Sequence, residues 1–197
     1  MSTARQRAGE ATATRILDIA ERLVQTRGFN GFSYADVASE LGVTKASVHY
    51  HFPGKAELGE ALIVRYTRRF ADSLAEIDAD APDARAKLEG YASLYADVLR
   101  GRRMCLCGML AAEHETLPDP IRQAVVAFFD ASEDWLAGVL LRGREEESLT
   151  FAGPAPDAAR SIVSGLEGAM LVARPYGDVS RFQAAADRLL AAFDARG

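Results

Sequence analysis

The stretch FSYADVASELGVTKASVHYHFPGK, residues 32–55, limits what this chain can fold into more than any other. Ser33 is a natural cap for a short helix whose apolar face is Val37, Ala38 and Leu41. Gly42 supplies the backbone freedom that a tight turn requires. Thr44 is placed to cap a second short helix in which Val48 and Phe52 face inward. Lys45, Ser47, His49, Tyr50 and His51 then point cationic or hydrogen-bonding groups outward. Helices this brief do not stand alone in water, because nucleation is costly and few residues follow it. A small Ala where the helices touch, a Gly in the turn and apolar residues locking the angle give the layout of a helix-turn-helix. In that motif the second helix enters the major groove of DNA with its N-terminal residues at base edges.

A formal net charge of −5 looks wrong for a nucleic-acid binder until it is divided along the chain. Residues 1–55 hold seven Lys/Arg against five Asp/Glu, whereas residues 56–197 hold sixteen against twenty-three. The motif therefore sits in a head of charge +2 ahead of a body of charge −7. Attraction to phosphate follows the local charge, not the total.

The flanking sequence supplies the support that the short helices need. From Thr12 to Arg27 the apolar residues Ile16, Ile19, Ala20, Leu23 and Val24 recur at helical spacing, and Gly28 is a stop. This helix braces the motif into a three-helix head, with Phe29 and Phe32 plugging its base. Ahead of it, Arg5 and Arg7 lie in a polar arm that reads as a disordered tail or as an arm touching DNA. After Pro53-Gly54 a long helix is predicted over 55–77, striped by Leu58, Leu62, Tyr66, Phe70, Leu74 and Ile77. Pro82 suits the first turn of the next helix, which carries Leu88, Tyr91, Ala92, Tyr95, Val98 and Leu99 and stops near Gly101. A short segment follows over 104–116. Asp119-Pro120 then opens a helix with Ile121, Val125, Phe128, Phe129, Leu136, Val139 and Leu140, and 143–156 reads as a loop. The last two helices are expected over 157–174, with Ile162, Gly165, Leu166, Ala169 and Ala173 on one side, and from a cap at Asp178 or Ser180, with Phe182, Ala186, Leu189, Leu190 and Phe193. They either complete the body's core or form half of an intermolecular four-helix bundle. The second is preferred, because a helix-turn-helix generally works as a dimer on paired half-sites. No strand pattern is present, so the fold class is all-α.

Several function classes are disfavoured. No apolar run approaches the ~18 residues of a membrane span, and MSTARQRAGEATATR lacks the apolar segment of a signal peptide, which points to the cytoplasm. No Gly-rich phosphate loop is present and no cofactor is implied. Cys105, Cys107 and His114 are the only soft nucleophile or imidazole candidates in the body, so an enzyme is not expected. The constellation MCLCGMLAAEHE, residues 104–115, has three readings. Its two cysteines are small hydrophobes packed in the body, the favoured reading; or thiols beside Arg102 and Arg103 activated toward oxidants or electrophiles; or, with Glu113 and His114, a soft-metal site lacking a standard zinc spacing.

The segment ILDIAERLVQTRGFNGFSYADVASELGVTKASVHYHFPGKAEL resembles the TetR family of one-component transcriptional regulators, in its Gly-Phe break, turn glycine, closing Phe52 and following Lys55. The resemblance implies a three-helix DNA-binding head over 1–54 and a six-helix effector-binding and dimerisation body over 55–197. It implies a homodimer on a palindromic double-stranded DNA operator, released by a small-molecule effector, with no membrane partner. By position, Thr44, Lys45, Ala46, Ser47, His49 and Tyr50 would face DNA from the recognition helix. Ser33 and Tyr34 would lie near phosphate, and Lys55 would reach a backbone phosphate. His49 departs from the family, which often has Tyr there. The body would carry an inducer cavity, for which Tyr91, Tyr95, Met109, Phe128, Phe129 and Trp135 are candidates, with Cys105 or Cys107 at its edge. Ile162, Gly165, Leu166, Ala169, Phe182, Leu189 and Phe193 are the candidate dimer residues, and the helix over 55–77 is the lever between body and head. The reading is thus a repressor released by a small apolar or electrophilic ligand. The alternatives are a thiol-based sensor acting through Cys105 and Cys107, or an architectural DNA binder without an effector.

Overall fold

The computed structural model describes residues 2–194, with side chains from Arg7 onward except Ala8. These residues form α1 (Ser2–Arg27), α2 (Tyr34–Leu41), α3 (Lys45–His51), α4 (Lys55–Asp80), α5 (Ala84–Arg100), α6 (Leu106–Ala112), α7 (Asp119–Glu145), α8 (Ala155–Ala173) and α9 (Val179–Leu190), with short 3-10 turns at His114–Thr116, Arg174–Tyr176 and Ala191–Phe193. No strand occurs among the described residues; a single antiparallel bridge pairs Leu149 with Asp194. The expected all-α chain is what the structure contains. No described helix is long and apolar enough to cross a membrane.

Some boundaries move for identifiable reasons. The first helix begins at Ser2, not near Thr12, so Arg5 and Arg7 lie within it instead of in a loose arm. Residues 2–11 are rich in Ala, Arg, Gln and Glu, which favour a helix wherever nothing breaks it. Arg7 is exposed, and the side chain of Arg5 lies outside the described residues. Asp83 caps α5 by accepting from the Ala86 N–H at 2.8 Å, which leaves Pro82 ahead of the cap and not in the first turn. At the other end of the body, α7 continues past Gly143 to Glu145, and the Gly143 carbonyl accepts from Ser148 and Leu149 to close the turn. The final helix is capped by Asp178, whose carboxylate accepts from the Ser180 N–H at 2.9 Å.

Packing groups the residues differently from a division at 54/55. One compact unit runs to Thr67 and takes in Leu106–Val125; the other holds Arg68–Cys105 and the residues from Val126 on. The helices α4 and α7 contribute to both. In the first unit Ile16, Ala20, Leu23 and Val24 of α1 are buried with Val37 and Ala38 of α2, Val48 of α3 and Leu58, Leu62 and Ile63 of α4. Each fully buried Leu or Ile stabilises by about 1.5–3 kcal/mol, which is what holds two helices too short to persist alone. Arg65 of α4 ties back to α1 through Asp18 at 2.7 Å and the buried Glu21 at 2.9 Å. The second unit has its own core of Leu88, Tyr91, Phe128, Leu136, Leu140, Ile162, Leu166, Met170 and Phe182.

Candidate nucleic-acid interface

The surface expected to meet DNA is set by how α2 and α3 are fastened. At the start of α2 the Asp36 carboxylate accepts from the Ser33 N–H at 2.8 Å and from the Ser33 Oγ at 2.7 Å. Those bonds hold the Asp36 carboxyl below the usual carboxylate range. Gly42 ends α2 in the left-handed region at φ 71°, where a side chain is strained, and the next N–H returns to the Ala38 carbonyl. Thr44 Oγ1 accepts from the Ser47 N–H at 3.2 Å and starts α3. Val48 anchors α3 at 0% exposure and Phe52 closes it.

With one side of α3 locked into the core, its other side is turned outward. Thr44, Lys45, Ala46, His49 and Tyr50 are exposed, Ser47 is half-buried, and Tyr50 reaches 83% exposure. His49 is oriented by a ring contact to Tyr34 (centroids 4.6 Å apart) and by its Nδ1 at 3.1 Å from the Pro53 carbonyl oxygen, so its Nδ1 edge is engaged within the head. Two residues expected at phosphate are placed differently. Tyr34 is buried, and its hydroxyl donates to the Gly54 carbonyl at 2.5 Å. Burial, with Glu57 adding to it, pushes its pKa up to about 12 and keeps it a neutral donor. Lys55 turns inward: Nζ donates to the Phe32 carbonyl at 2.6 Å and lies 4.3 Å and 4.9 Å from the ring centroids of Phe32 and Phe29. Burial draws the Lys55 pKa down, against the pull of Glu113 and Asp36.

Glu113 escaped the sequence reading as a structural residue. Its carboxylate accepts from the backbone N–H groups of Phe29 and Asn30, while Asn30 Nδ2 donates to Thr116 Oγ1 at 2.7 Å. Gly28, at φ 89°, leaves the room for this contact, since a Cβ there would lie 2.7 Å from Glu113 Oε1. The N–H groups of the Gly28–Gly31 turn were the only signal, and nothing in the sequence names their acceptor.

The effector candidates divide between the two units. Tyr91, Tyr95, Cys105, Phe128, Phe129 and Trp135 belong to the second, Cys107 and Met109 to the first. Tyr91 Oη lies 3.2 Å from Tyr95 Oη, and the Tyr91 ring stacks on Trp135 with centroids 5.8 Å apart. Phe70 meets both Tyr91 (5.9 Å) and Phe128 (5.0 Å). Both cysteines are buried and neither is in a disulfide; the Cys105 N–H donates to Met170 Sδ at 3.2 Å, and its thiol bonds to the carboxyl of Glu167. An acidic neighbour is the opposite of the cationic setting that activates a thiol. Of the candidate dimer residues, Ile162, Leu166, Phe182 and Phe193 are buried within the single chain, and a Cβ on Gly165 would lie 2.6 Å from Leu189 Cδ2. These residues therefore serve packing within one chain; Ala169 and Leu189 are half-buried.

The fold and the outward face of α3 define a helix-turn-helix regulator. Residues 16–62 match the family described as "Bacterial regulatory proteins, tetR family", and residues 84–188 match "Transcriptional regulator LmrA/YxaF-like, C-terminal domain". The chain is 32% identical over 155 residues to the transcriptional regulator AcuR of Cereibacter sphaeroides, covering 75% of this chain and 69% of that protein. It is 30% identical over 169 residues to the HTH-type transcriptional regulator LmrA of Bacillus subtilis, covering 80% and 84%. A TetR-family transcriptional regulator from Agrobacterium tumefaciens superposes with a TM-score of 0.91 at 32% identity, covering 95% of this chain and all of that one. The chain belongs to the TetR family and is a DNA-binding transcriptional regulator, not an enzyme.

Proposed function

We propose that the protein is a cytoplasmic homodimeric repressor, held on a palindromic operator by two copies of α3 and released when a small, largely apolar ligand occupies the helical body. The observation that carries the DNA-binding geometry is the exposed face Thr44–Tyr50, presented by a helix whose opposite side, Val48, is fixed in the core. In this reading residues 1–54 contact DNA, and residues 55–197 carry ligand and partner. The aromatic cluster of Tyr91, Tyr95, Phe128 and Trp135 supports a ligand site, because ring faces supply apolar area with few polar groups.

Dimerisation is supported by what α8 and α9 leave uncovered. Ser161, Ser164, Gly168, Leu171 and Val172 form one exposed stripe on α8, and Ala184, Ala185 and Arg188 lie exposed on α9. Leu171 and Val172 stand at 61% and 64% exposure, and nothing lies within 4 Å of a Cβ placed on Gly168. Adjacent exposed apolar residues beside small ones suit a self-complementary helix pair around a two-fold axis. Release would run through α4, which contributes residues to both units. The test uses fluorescence anisotropy with duplexes tiled across the DNA upstream of the coding region. One palindromic duplex should bind two chains, and Lys45→Ala with Tyr50→Ala should abolish that preference. Binding by the double variant with unchanged sequence preference would remove α3 from the interface.

A further inference from the structure

Glu167, on α8, is a largely buried acid that the packing of the body does not explain. Its carboxyl is bonded by Tyr95 and by the Cys105 thiol, yet Oε1 is closed off from solvent with no hydrogen-bond partner. No Lys, Arg or His of the described residues lies within ion-pair distance of it; the guanidinium on the same helix, Arg160, is paired with Glu133 and Asp157. A buried acceptor left unpaired costs about 1–3 kcal/mol, more when charged. Leu or Met in its place would avoid that cost.

The surroundings indicate what would pair it. Tyr95, which touches Glu167, is joined through its hydroxyl to Tyr91, and the Tyr91 ring lies face to face with Trp135 at an interplanar angle of 20°. Phe70 and Phe128 continue the aromatic wall. Tyr91 and Tyr95 are buried, whereas Trp135 and Phe70 are only half-buried, so the wall runs from a part-exposed edge toward the acid. Ring faces are electron-rich and attract cations, increasingly so away from water. Carboxylate and rings therefore favour the same sign of charge.

We propose that Glu167 is the charge-recognising residue of the effector site, and that the effector is an organic ammonium ion on an apolar, aromatic-sized body, its nitrogen at Glu167 Oε1 and its body against Tyr91 and Trp135. This rests on the ligand-controlled reading above and adds the chemistry of the ligand to it. Neutral or anionic molecules with the same apolar body leave the acceptor unpaired or set like charges together.

Trp135 is the only tryptophan in the chain, so it reports on the site directly. The probes are phenylbutylammonium, phenylbutanol and phenylbutyrate, one body with three head groups, titrated into the full-length protein while tryptophan emission is followed. The ammonium should change the emission saturably and bind about tenfold or more tighter than the alcohol, with the carboxylate weakest, since a desolvated charge pair is worth that much or more. Glu167→Gln, nearly isosteric, should bind the ammonium and the alcohol alike; Glu167→Met provides the same comparison with no polar atom left, and circular dichroism verifies that both are folded. Equal affinity of wild type for ammonium and alcohol, a preference that survives in both variants, or no saturable change overturns the proposal. Operator anisotropy with the same probes separates it from the repressor reading. Selective ammonium binding without operator release leaves Glu167 as a binding site and removes the effector role. Operator release by phenylbutanol or phenylbutyrate, equal in wild type and Glu167→Gln, keeps ligand control and removes Glu167.

Discussion

Lys55 carries a charge whose partners differ from those that its position in the motif suggests. Its ammonium hydrogen is given to the Phe32 carbonyl and its charge lies against two phenylalanine rings, so the head is held partly by a cation inside it. Removing the amine leaves that carbonyl short of a donor, at about 1–3 kcal/mol, and forfeits ring contacts worth about 0.5–2 kcal/mol. Lys55→Met should therefore lower stability by about 1.5–5 kcal/mol in urea unfolding, while the dependence of operator affinity on salt stays as in wild type. A salt slope smaller by about 1 would place Lys55 on a phosphate instead. The acid Glu167 makes an opposite case, because burial raises its pKa above the usual value of 4.5 even though Cys105 and Tyr95 pull it down. A carboxyl raised in the folded state favours folding below its unfolded pKa, and that contribution is lost as pH climbs through the folded value. Glu167→Gln does not titrate. Its melting temperature should approach wild type near pH 4 and exceed it increasingly toward pH 7; a constant gap across that range would mean that Glu167 is not desolvated.

At the level of elements, α3 was legible because everything that shapes it is close in sequence. Thr44, Gly42, Val48 and Phe52 fix the start, the turn and the buried side within a dozen residues, so the exposed face follows from spacing alone. Lys45→Ala should weaken the operator more than random duplex, because a contact at a base edge carries about 1–3 kcal/mol of discrimination; equal losses on both would make Lys45 a phosphate contact. Long-range partners were not legible. Glu113 lies 84 residues from Phe29, and no periodicity reports which carboxylate fills a distant turn. For the same reason the inward turn of Lys55 was missed, since Phe29 and Phe32 read equally well as a plug with or without an ammonium over them. Periodicity marked the apolar stripe of α8 but not its partner: Ile162 and Leu166 are buried in their own chain, which leaves the opposite stripe of Ser161, Ser164, Gly168 and Leu171 as the one open to a second copy. The early start of α1 is a different omission, where high helix propensity extended an element that hydrophobic spacing alone begins near Thr12.

For the whole molecule, the question is whether two chains act as one on DNA. A single short recognition helix contacts one half-site, and two held at a fixed separation engage half-sites about 34–36 Å apart. Linking them makes the second contact intramolecular and raises affinity by orders of magnitude, about 10²–10⁴. If the exposed face of α8 joins the chains, Leu171→Arg places like charges against each other across a two-fold axis while touching nothing in the protomer's own core. Such a variant should sediment as a monomer with the helical content and melting behaviour of a folded chain, and its operator affinity should fall by about 10²-fold or more. Gly165→Leu is the necessary contrast. Its added side chain drives into Leu189 of the same chain, so it should lower thermal stability whatever it does to assembly. Operator length gives a further discriminating readout: for wild type a duplex carrying one half-site should bind far more weakly than the full palindrome, whereas for Leu171→Arg the two should bind alike. A Leu171→Arg protein that remains dimeric and keeps its preference for the full palindrome would mean that the chains meet through another surface.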